Sequence, residues 1–396
     1  MDMAGKMTIK TYSGLEEFIQ GTQSPVWKKY HNNRTCYEAY VQLKKNLEPI
    51  QDITVEGAMK DGIDEALKIY QEKMEKIVPG EDKASFKQKI HDLFASDPVI
   101  FLNDHGPHHI EKVIERANSI VMNFKGEPLS EFEVFLLLCA IQIHDIGNVL
   151  GRAGHERKLV EIFNEKGKNI ILDAPERRVI TSIAMAHGGK SSLGGKDTIS
   201  MLSPSESIFD APVRTRLLAA VLRFSDELAD DSTRANRDAM DLGILGTNSD
   251  IYHCYSRALH TVSVREDFEN QDCKISLVYE LEADLLRRTY KVGGYEKYLL
   301  DEIYDRTLKM ELERRYCMKF MYSSINIGRI DVTINIYGRT SEKIQGISYT
   351  LEDVSYPELP IAGQIRSMWK NSEARLPSGE ELLQSLLERG VIYAES

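Results

Sequence analysis

The sequence predicts a mainly helical protein that carries a smaller α/β domain towards its C-terminus. From about Lys83 to Leu245, apolar residues recur at helical spacing, and no segment has a convincing strand pattern. After about Asn248, alternating apolar and polar residues indicate strands, with one long amphipathic segment between the last two. A β-α-β order of this kind allows a sheet with a helix packed against it.

The pattern of the sequence divides the 396 residues into four predicted segments. They are a helical N-terminal segment (1–82), an all-helical core domain (83–247), an α/β domain (248–345) and an irregular C-terminal extension (346–396). The extension contains three prolines after residue 355 and one segment with a helical pattern, Ser378–Arg389. A chain of this length is expected to hold two or three domains at ~100–200 residues per domain.

Hydrophobic periodicity assigns the individual elements. In His109–Phe124, the side chains of Ile110 and Val113 fall on one helical face. The segments Glu131–Ile146 and Val213–Ala229 are apolar nearly all round at their centres, as is typical of buried helices. The other predicted helices are Tyr37–Leu47, Ile63–Val78 and Tyr295–Met318, and the predicted strands are Thr261–Val264, Lys274–Tyr279 and Ile330–Ile336.

Composition and charge exclude several classes of protein. The chain has 50 Lys and Arg against 61 Asp and Glu, a net charge of −11, which argues against an extended nucleic-acid-binding surface. The longest strongly apolar stretch, Val134–Ile143, is too short for the ~20 residues of a membrane helix. The N-terminal residues lack a secretory signal pattern, and the five scattered cysteines indicate reduced thiols. We therefore expect a cytoplasmic protein that makes no membrane contact.

The histidines are concentrated in the helical core. Six of the ten lie between positions 105 and 187, namely His105, His108, His109, His144, His155 and His187. One histidine on a helix is usually structural, but six in one helical domain favour a metal site. The pair His144-Asp145 ends an apolar helix, with Gly147 placed to terminate it. Imidazole together with carboxylate suits Mn²⁺, Fe²⁺, Zn²⁺, Co²⁺ or Ni²⁺.

Two further segments carry candidate ligands. His109 begins the apolar face of its helix, so it is expected to point inward, whereas Gly106-Pro107 separates it from His105. His105 and His108 could instead be loop residues that contact the backbone. Asp226 has apolar neighbours, and a buried carboxylate must be paired, coordinated or protonated. Either a metal ion or a salt bridge to Arg223 would satisfy it.

In order and spacing, three segments resemble the HD superfamily of metal-dependent phosphohydrolases. His109-Ile110-Glu111-Lys112-Val113 is similar to the first family motif, His144-Asp145-Ile146-Gly147 to the central motif, and Arg223-Phe224-Ser225-Asp226-Glu227-Leu228 to the last. The resemblance covers about residues 95–240. It implies an all-helical HD-domain core with one or two divalent ions, drawn from Mn, Fe, Ni, Co, Mg and Zn.

The same resemblance implies roles for individual residues. The ligands of a first ion would be His109, His144, Asp145 and Asp226. His155 and His187 would bind a second ion or contact the substrate, and Asp145 would bridge two ions. In a site with one ion, His155 would protonate the leaving oxygen. Catalytic roles are thus implied for Asp145 and His155.

A phosphate substrate also needs cations or polar donors. Lys190 follows His187 in a loop rich in Gly and Ser, and Arg152, Arg223 and His105 are further candidates. A lysine in such a loop is more often simply solvated. The loop is not a Walker A motif, because Ala184 replaces its first glycine and the preceding segment has a helical pattern.

The resemblance implies hydrolysis of a nucleotide by a metal-activated water. The substrate would be a deoxynucleoside triphosphate or a cyclic or oligonucleotide phosphodiester. Related bacterial proteins with appended domains also imply a role in antiviral defence. The alternative is a non-catalytic module that senses a nucleotide and acts through a protein partner. In either case the C-terminal domain is a candidate for forming a homo-oligomer.

Overall fold

The computed structural model describes most of the chain in two compact units. The described residues are 10, 12–22, 34–49, 107–150, 154–166, 173–190, 194–232, 235, 240, 250–268, 270–292, 294–352 and 376–391. One unit, called the helical unit below, contains those within Met1–Thr54, His105–Ala229 and Arg314–Asn326. The other, the sheet unit, contains those within Val55–Asp104, Asp230–Glu313 and Ile327–Ser396.

The helical unit consists mainly of helices, as the sequence predicts for the core. Its helices are α1 (Leu15–Gly21), α2 (36–49), α3 (Pro107–Met122), α4 (Glu131–Ile143), α5 (His155–Lys166), α6 (Ala174–Met185) and α7 (Thr215–Glu227). Helix α3 begins at Pro107, whose fixed φ and missing N–H suit the first helical position. The predicted helix Ile63–Val78 lies outside the described residues.

Helix α4 is the centre of this unit, where it packs against α1, α3, α6 and α7. Nearly all its residues are buried, in agreement with its uniformly apolar sequence. At its start, Ser130 and Glu133 form a reciprocal capping box, in which each side chain accepts a hydrogen bond from the other residue's backbone N–H. The N-terminal layer is tied to α4 by Gln142, which donates to the Tyr40 hydroxyl; that hydroxyl donates to Glu16.

The prediction that this region contains no strand is wrong at one place. Strands β1 (Glu206–Ile208) and β2 (Ala211–Val213) form an antiparallel hairpin before α7. The two residues of its turn, Phe209 and Asp210, both have positive φ, as a type I′ turn requires. Glycine and asparagine usually signal such a turn, so Phe209 conceals it in the sequence. The hairpin explains why α7 begins at Thr215 rather than at Val213.

The sheet unit contains a four-stranded sheet of mixed direction. Its elements are α8 (Asp250–Ala258), β3 (Leu259–Asp267), β4 (Asp272–Glu282), β5 (Thr289–Val292), β6 (Tyr295–Tyr298), α9 (Leu299–Met321), β7 (Ile327–Tyr337), β8 (Lys343–Glu352) and α10 (Gly379–Glu388). The strand order is β3-β4-β7-β8, with β4 parallel to β7 and the outer pairs antiparallel. The predicted β-α-β order is thus confirmed, with α9 as the connection between the parallel strands.

The start of α9 corrects the predicted helix Tyr295–Met318. Residues Tyr295–Tyr298 instead form β6, which pairs with β5 around Gly294, a glycine with positive φ. The Gly-Gly pair before Tyr295 is a hairpin signal that outweighs the helical pattern. Within the sheet unit, α9 contacts β8. The hydroxyl of Thr307 on α9 lies 2.8 Å from the hydroxyl of Tyr349 on β8. The described part of α9 from Arg314 onward belongs to the helical unit.

Two expectations about the chain's environment can be compared with the structure. None of the helices in the described ranges is long and apolar enough to cross a membrane. All five cysteines fall within those ranges, where they are buried and form no disulfide bond.

Helix α10 lies where the sequence predicts the helix Ser378–Arg389. Ser378 caps it through a second capping box with Glu381.

Candidate metal centre

Two groups of metal-binding side chains converge in the helical unit. In the first, called triad A, His109 of α3, His144 after α4 and Asp226 of α7 place one ligand atom each within 4.8 Å of the others. The Nε2 atom of His109 lies 3.1 Å from Oδ1 of Asp226, and Nε2 of His144 lies 3.6 Å from the same oxygen. Both histidines are buried, so their Nε2 atoms face the carboxylate rather than water.

The second group, triad B, consists of Asp145, His155 at the start of α5 and His187 after α6. Here Nε2 of His155 lies 3.0 Å and Nε2 of His187 lies 3.6 Å from Oδ1 of Asp145. The two Nε2 atoms are 3.4 Å apart. Among the four histidines of the triads, His155 is the most accessible, with 21% of its side chain exposed, and in triad A the side chain of Asp226 is 29% exposed. Each triad therefore has one residue that a ligand can reach.

Asp145 connects the two triads through its two oxygens. Its Oδ1 faces His155 and His187, whereas its Oδ2 lies 3.8 Å from Nε2 of His109 and 3.6 Å from Nε2 of His144. One carboxylate therefore presents a different oxygen to each group. This is the arrangement expected of a ligand shared by two neighbouring cations, and it agrees with the role that the sequence resemblance implies for Asp145.

Helix ends orient two of the four imidazoles. His144 and His187 each follow the end of a helix, and the Nδ1 of each lies close to the carbonyl three residues earlier, 2.7 Å from Ile141 and 2.5 Å from Ala184. A carbonyl can only accept, so Nδ1 carries the proton in both rings. Each Nε2 is then left as the atom that faces its triad, which is how second contacts of ligand histidines fix their tautomer.

A hydrogen bond between α3 and α7 helps to position Asp226, the carboxylate of triad A. The guanidinium of Arg116, on α3, donates from Nε to the carbonyl of Leu228, 3.0 Å away at the end of α7. This bond satisfies a carbonyl that the helix itself leaves unpaired. Because His109 lies on α3 and Asp226 on α7, the same bond holds the two ligands at a fixed separation.

The pKa values of His144 and Asp226 are shifted by the charges of the neighbouring residues. Burial alone would lower the pKa of His144, but the carboxylates of Asp145 and Asp226 outweigh it and raise the pKa to about 9. Burial would likewise raise the pKa of Asp226, but hydrogen bonds and charge from His109 and His144 lower it well below its usual 3.8. A proton on His144 therefore balances the carboxylates, and a metal ion must displace it.

The residues of both triads fit divalent cations. The buried Nε2 of His144 lies 3.6 Å from Oδ1 of Asp226 and 3.6 Å from Oδ2 of Asp145. Once its proton is displaced, this nitrogen offers a lone pair towards two carboxylate oxygens, an arrangement that a cation between them would stabilise. Imidazole nitrogens and carboxylate oxygens suit Mn²⁺, Fe²⁺, Co²⁺, Ni²⁺ and Zn²⁺.

Gly147 brings the start of α5 against the end of α4. A Cβ atom at this position would collide with the carbonyl oxygen of His155 and come within 2.9 Å of the amide nitrogen of Leu159. The sequence suggested that Gly147 ends a helix, but α4 ends earlier, at Ile143, and Gly147 lies in a 3₁₀ turn. Its function is the close approach that lets His155 reach Asp145.

The substitution Gly147→Ala should therefore destabilise the protein by about 1–3 kcal/mol, the usual cost of overpacking. Urea unfolding of the metal-free protein measures this change. Gly188→Ala is the matched control, since a Cβ there meets no atom within 4 Å. We expect the control to stay within about 0.5 kcal/mol of the wild type. Equal stability of the two variants would contradict the role given to Gly147.

The four predicted substrate-binding residues differ in their exposure and in whether the structure describes them. Lys190 is exposed, and its backbone carbonyl accepts a hydrogen bond from Arg157. Arg223 is buried, and its NH1 donates to the carbonyl of Lys196 and the hydroxyl of Thr198. Their contacts with phosphate remain predictions. The other two candidates, His105 and Arg152, lie outside the described residues.

Sequence reasoning missed the residues that hold the ligands in place. Arg116, the helix-end carbonyls and Thr198 contact residues between 3 and 112 positions away. Only the helix-end carbonyls left a signal, because both His144 and His187 come at the end of a predicted or strongly apolar helix. The other contacts depend on how distant helices pack, which periodicity does not specify. His108 is exposed, 3.8 Å from Glu111, and is not part of either triad.

Comparisons with known proteins identify the family. The profile of the HD-CE family matches residues 99–308, more than half of the chain. The matched region contains all six triad residues and continues into the first strands of the sheet unit. No curated protein and no solved structure shows significant similarity to the chain. The match confirms the HD resemblance, and the chain belongs to the HD-CE family.

Proposed function

We propose that this protein is a metal-dependent phosphohydrolase that acts on a nucleotide. The observation that carries the proposal is the position of Asp145, which offers one oxygen to each of two adjacent sets of metal ligands. Sites with two cations ~3.5–4 Å apart are widely used to hydrolyse phosphate esters and anhydrides. Membership of a family with an HD domain supports the same reaction class.

The chain's own residues would divide the work as follows. His109, His144 and Asp226 would hold one cation, His155 and His187 the other, and Asp145 both. When bound, the cations would make a water more acidic and offset the negative charge of the phosphoryl group. In a version with one cation at triad A, the more accessible His155 would instead carry a proton on Nε2 and donate it to the leaving oxygen.

The substrate is proposed at the level of chemical class. A deoxynucleoside triphosphate and a cyclic or oligonucleotide phosphodiester both offer a phosphoryl group to the cations. Lys190 lies three residues after His187, and Arg157, two residues after His155, donates to the Lys190 carbonyl, so we propose these two cations as phosphate contacts. The role in antiviral defence rests on the family resemblance.

The test is a screen of the purified protein against both substrate classes. Nucleoside triphosphates, cyclic nucleotides, short oligonucleotides and a chromogenic phosphodiester would each be incubated with Mn²⁺, Mg²⁺, Co²⁺ or Ni²⁺. We expect turnover of at least one class that depends on the added metal and stops with EDTA. Failure of every substrate with every metal, in protein shown to bind metal, would contradict the proposal.

The second candidate is a sensor that binds a nucleotide without hydrolysing it. Such a module does not need its metal ligands, whereas all six ligand side chains are present here within two triads. A protein free of metal that still binds a nucleotide would favour the sensor. A homo-oligomer formed by the C-terminal domain is a further proposal, and light scattering on the full chain measures it.

A further inference from the structure

The loop between α6 and the β1–β2 hairpin makes hydrogen bonds to residues that lie near a ligand of each triad. Thr198 lies in this loop, and its hydroxyl donates a hydrogen bond of 2.7 Å to the carbonyl of Ala186. The same oxygen accepts a hydrogen bond of 3.0 Å from NH1 of Arg223. One hydroxyl thus serves as donor on one side and as acceptor on the other.

The donor side of this hydroxyl acts on triad B. Ala186 is the C-cap residue between α6 and His187, and its carbonyl is among those that a helix end leaves without an intrahelical partner. The next peptide unit carries His187, whose ring is fixed by its Nδ1 contact with Ala184. With ring and backbone both held, Nε2 of His187 is directed at Asp145.

The acceptor side of the hydroxyl leads to triad A. Arg223 lies three residues before Asp226, nearly one turn earlier on α7. Its guanidinium is buried and stacks 4.5 Å above the ring centroid of Tyr316. The hydroxyl of Tyr316 donates to Asp197 and accepts from the backbone N–H of Ile199, so both chain neighbours of Thr198 are held in place.

We propose that Thr198 is a positioning residue that aligns His187 with the helix carrying Asp226, so that triad B keeps its metal-binding geometry. This inference rests on the proposed function, because it assumes that both triads bind cations. It assigns to the loop a role that is separate from substrate contact. Contacts of this kind, one step removed from the metal, typically change metal affinity about 10–100-fold.

The experiment compares two substitutions at this position. Thr198→Val keeps the shape of the side chain and removes the hydroxyl, whereas Thr198→Ser keeps the hydroxyl and removes the methyl group. Mn²⁺ binding is measured by equilibrium dialysis with elemental analysis, without any substrate. We expect Thr198→Val to weaken one of two Mn²⁺ sites about tenfold or more, and Thr198→Ser to bind within about threefold of the wild type.

Thr181→Val is the matched control on the neighbouring helix. The hydroxyl of Thr181 also donates to backbone carbonyls, those of Arg177 and Arg178, but it lies within α6 and outside this network. The control should leave both Mn²⁺ sites unchanged. If Thr198→Val does not fold by circular dichroism, Thr198→Ala is compared with Thr198→Ser in the same way.

The Mn²⁺-binding results distinguish a failure of this inference from a failure of the proposed function. Equal Mn²⁺ binding by Thr198→Val and wild type overturns the inference, as does a defect of equal size in Thr198→Ser, because packing would then be the cause. A wild-type protein with a single Mn²⁺ site also overturns it. A wild type that binds no divalent cation at all contradicts the proposed function itself, so the two failures can be told apart.

Discussion

Replacing Asp145 by alanine is expected to abolish phosphohydrolase activity and to remove metal from both triads. The carboxylate offers one oxygen to triad A and one to triad B, so its removal takes a ligand atom from both groups. We expect a loss of at least ~10³-fold in kcat/KM, which corresponds to about 4 kcal/mol of transition-state stabilisation. The measurement is turnover of the substrate identified in the metal screen, at saturating Mn²⁺.

The control for this prediction is an acidic residue of the same unit outside the centre. Asp173 precedes α6 and makes no capping hydrogen bond through its side chain. Asp173→Asn should keep wild-type activity within about twofold. If Asp145→Ala retained more than a tenth of the wild-type activity while its circular dichroism spectrum stayed native, the reaction would not use the shared carboxylate.

The second large effect concerns stability and is expected at Glu133. This carboxylate is buried, caps the start of α4 and accepts hydrogen bonds from the backbone N–H, Nε and NH2 of Arg214, at 2.7–3.0 Å. Glu133→Ala would leave the guanidinium without its carboxylate at the start of α7. Because the Arg214 side chain is 26% exposed and keeps the carbonyls of Glu127 and Pro128 as acceptors, we expect a loss of about 2–3 kcal/mol, which urea unfolding at pH 7 would measure.

The contribution of Glu133 should also depend on pH. Burial alone would raise its pKa, but hydrogen bonds from Arg214 and Ser130 outweigh it and hold the pKa below its usual 4.5. A carboxyl whose pKa is lower in the folded state stabilises fully above the unfolded value and progressively less as the pH falls through the folded one. The difference between wild type and Glu133→Ala should therefore be constant above pH 5 and shrink below pH 4.5.

Glu133→Gln serves as the companion variant. It keeps the length of the side chain and one acceptor oxygen but removes the charge, so we expect a loss of stability smaller than that of Glu133→Ala. Its stability should also lack the acid-dependent decline assigned to this carboxyl. A Glu133→Ala protein within 1 kcal/mol of the wild type at pH 7 would show that the pairing with Arg214 contributes little.

The fold could be predicted where the residue pattern is strong and local. The apolar sequence of α4 and the alternation in β4 and β7 specify their elements directly, because burial on all sides or on one face leaves a clear period. The two hairpins were missed for a different reason. At Phe209-Asp210 the first turn residue is a phenylalanine, which rarely adopts positive φ, and at Tyr295 a strand runs directly into a helix of similar composition.

The sequence indicates which residues are candidate metal ligands, but it does not indicate which residues hold them in position. His109, His144, Asp145 and Asp226 were chosen by motif, and the structure brings them together. The motif carries no information on which oxygen of Asp145 faces which triad, since that follows from the end of α4. Nor does it reveal Thr198, whose two partners lie 12 and 25 residues away along the chain.

If the two triads hold divalent cations, elemental analysis of the purified protein should detect them. The wild-type protein would be dialysed against Mn²⁺, freed of loosely bound metal and analysed by mass spectrometry beside His144→Ala. We expect two ions per chain in the wild type and the loss of at least the triad A ion in His144→Ala. A wild type without metal, or a variant with undiminished metal content, would contradict it.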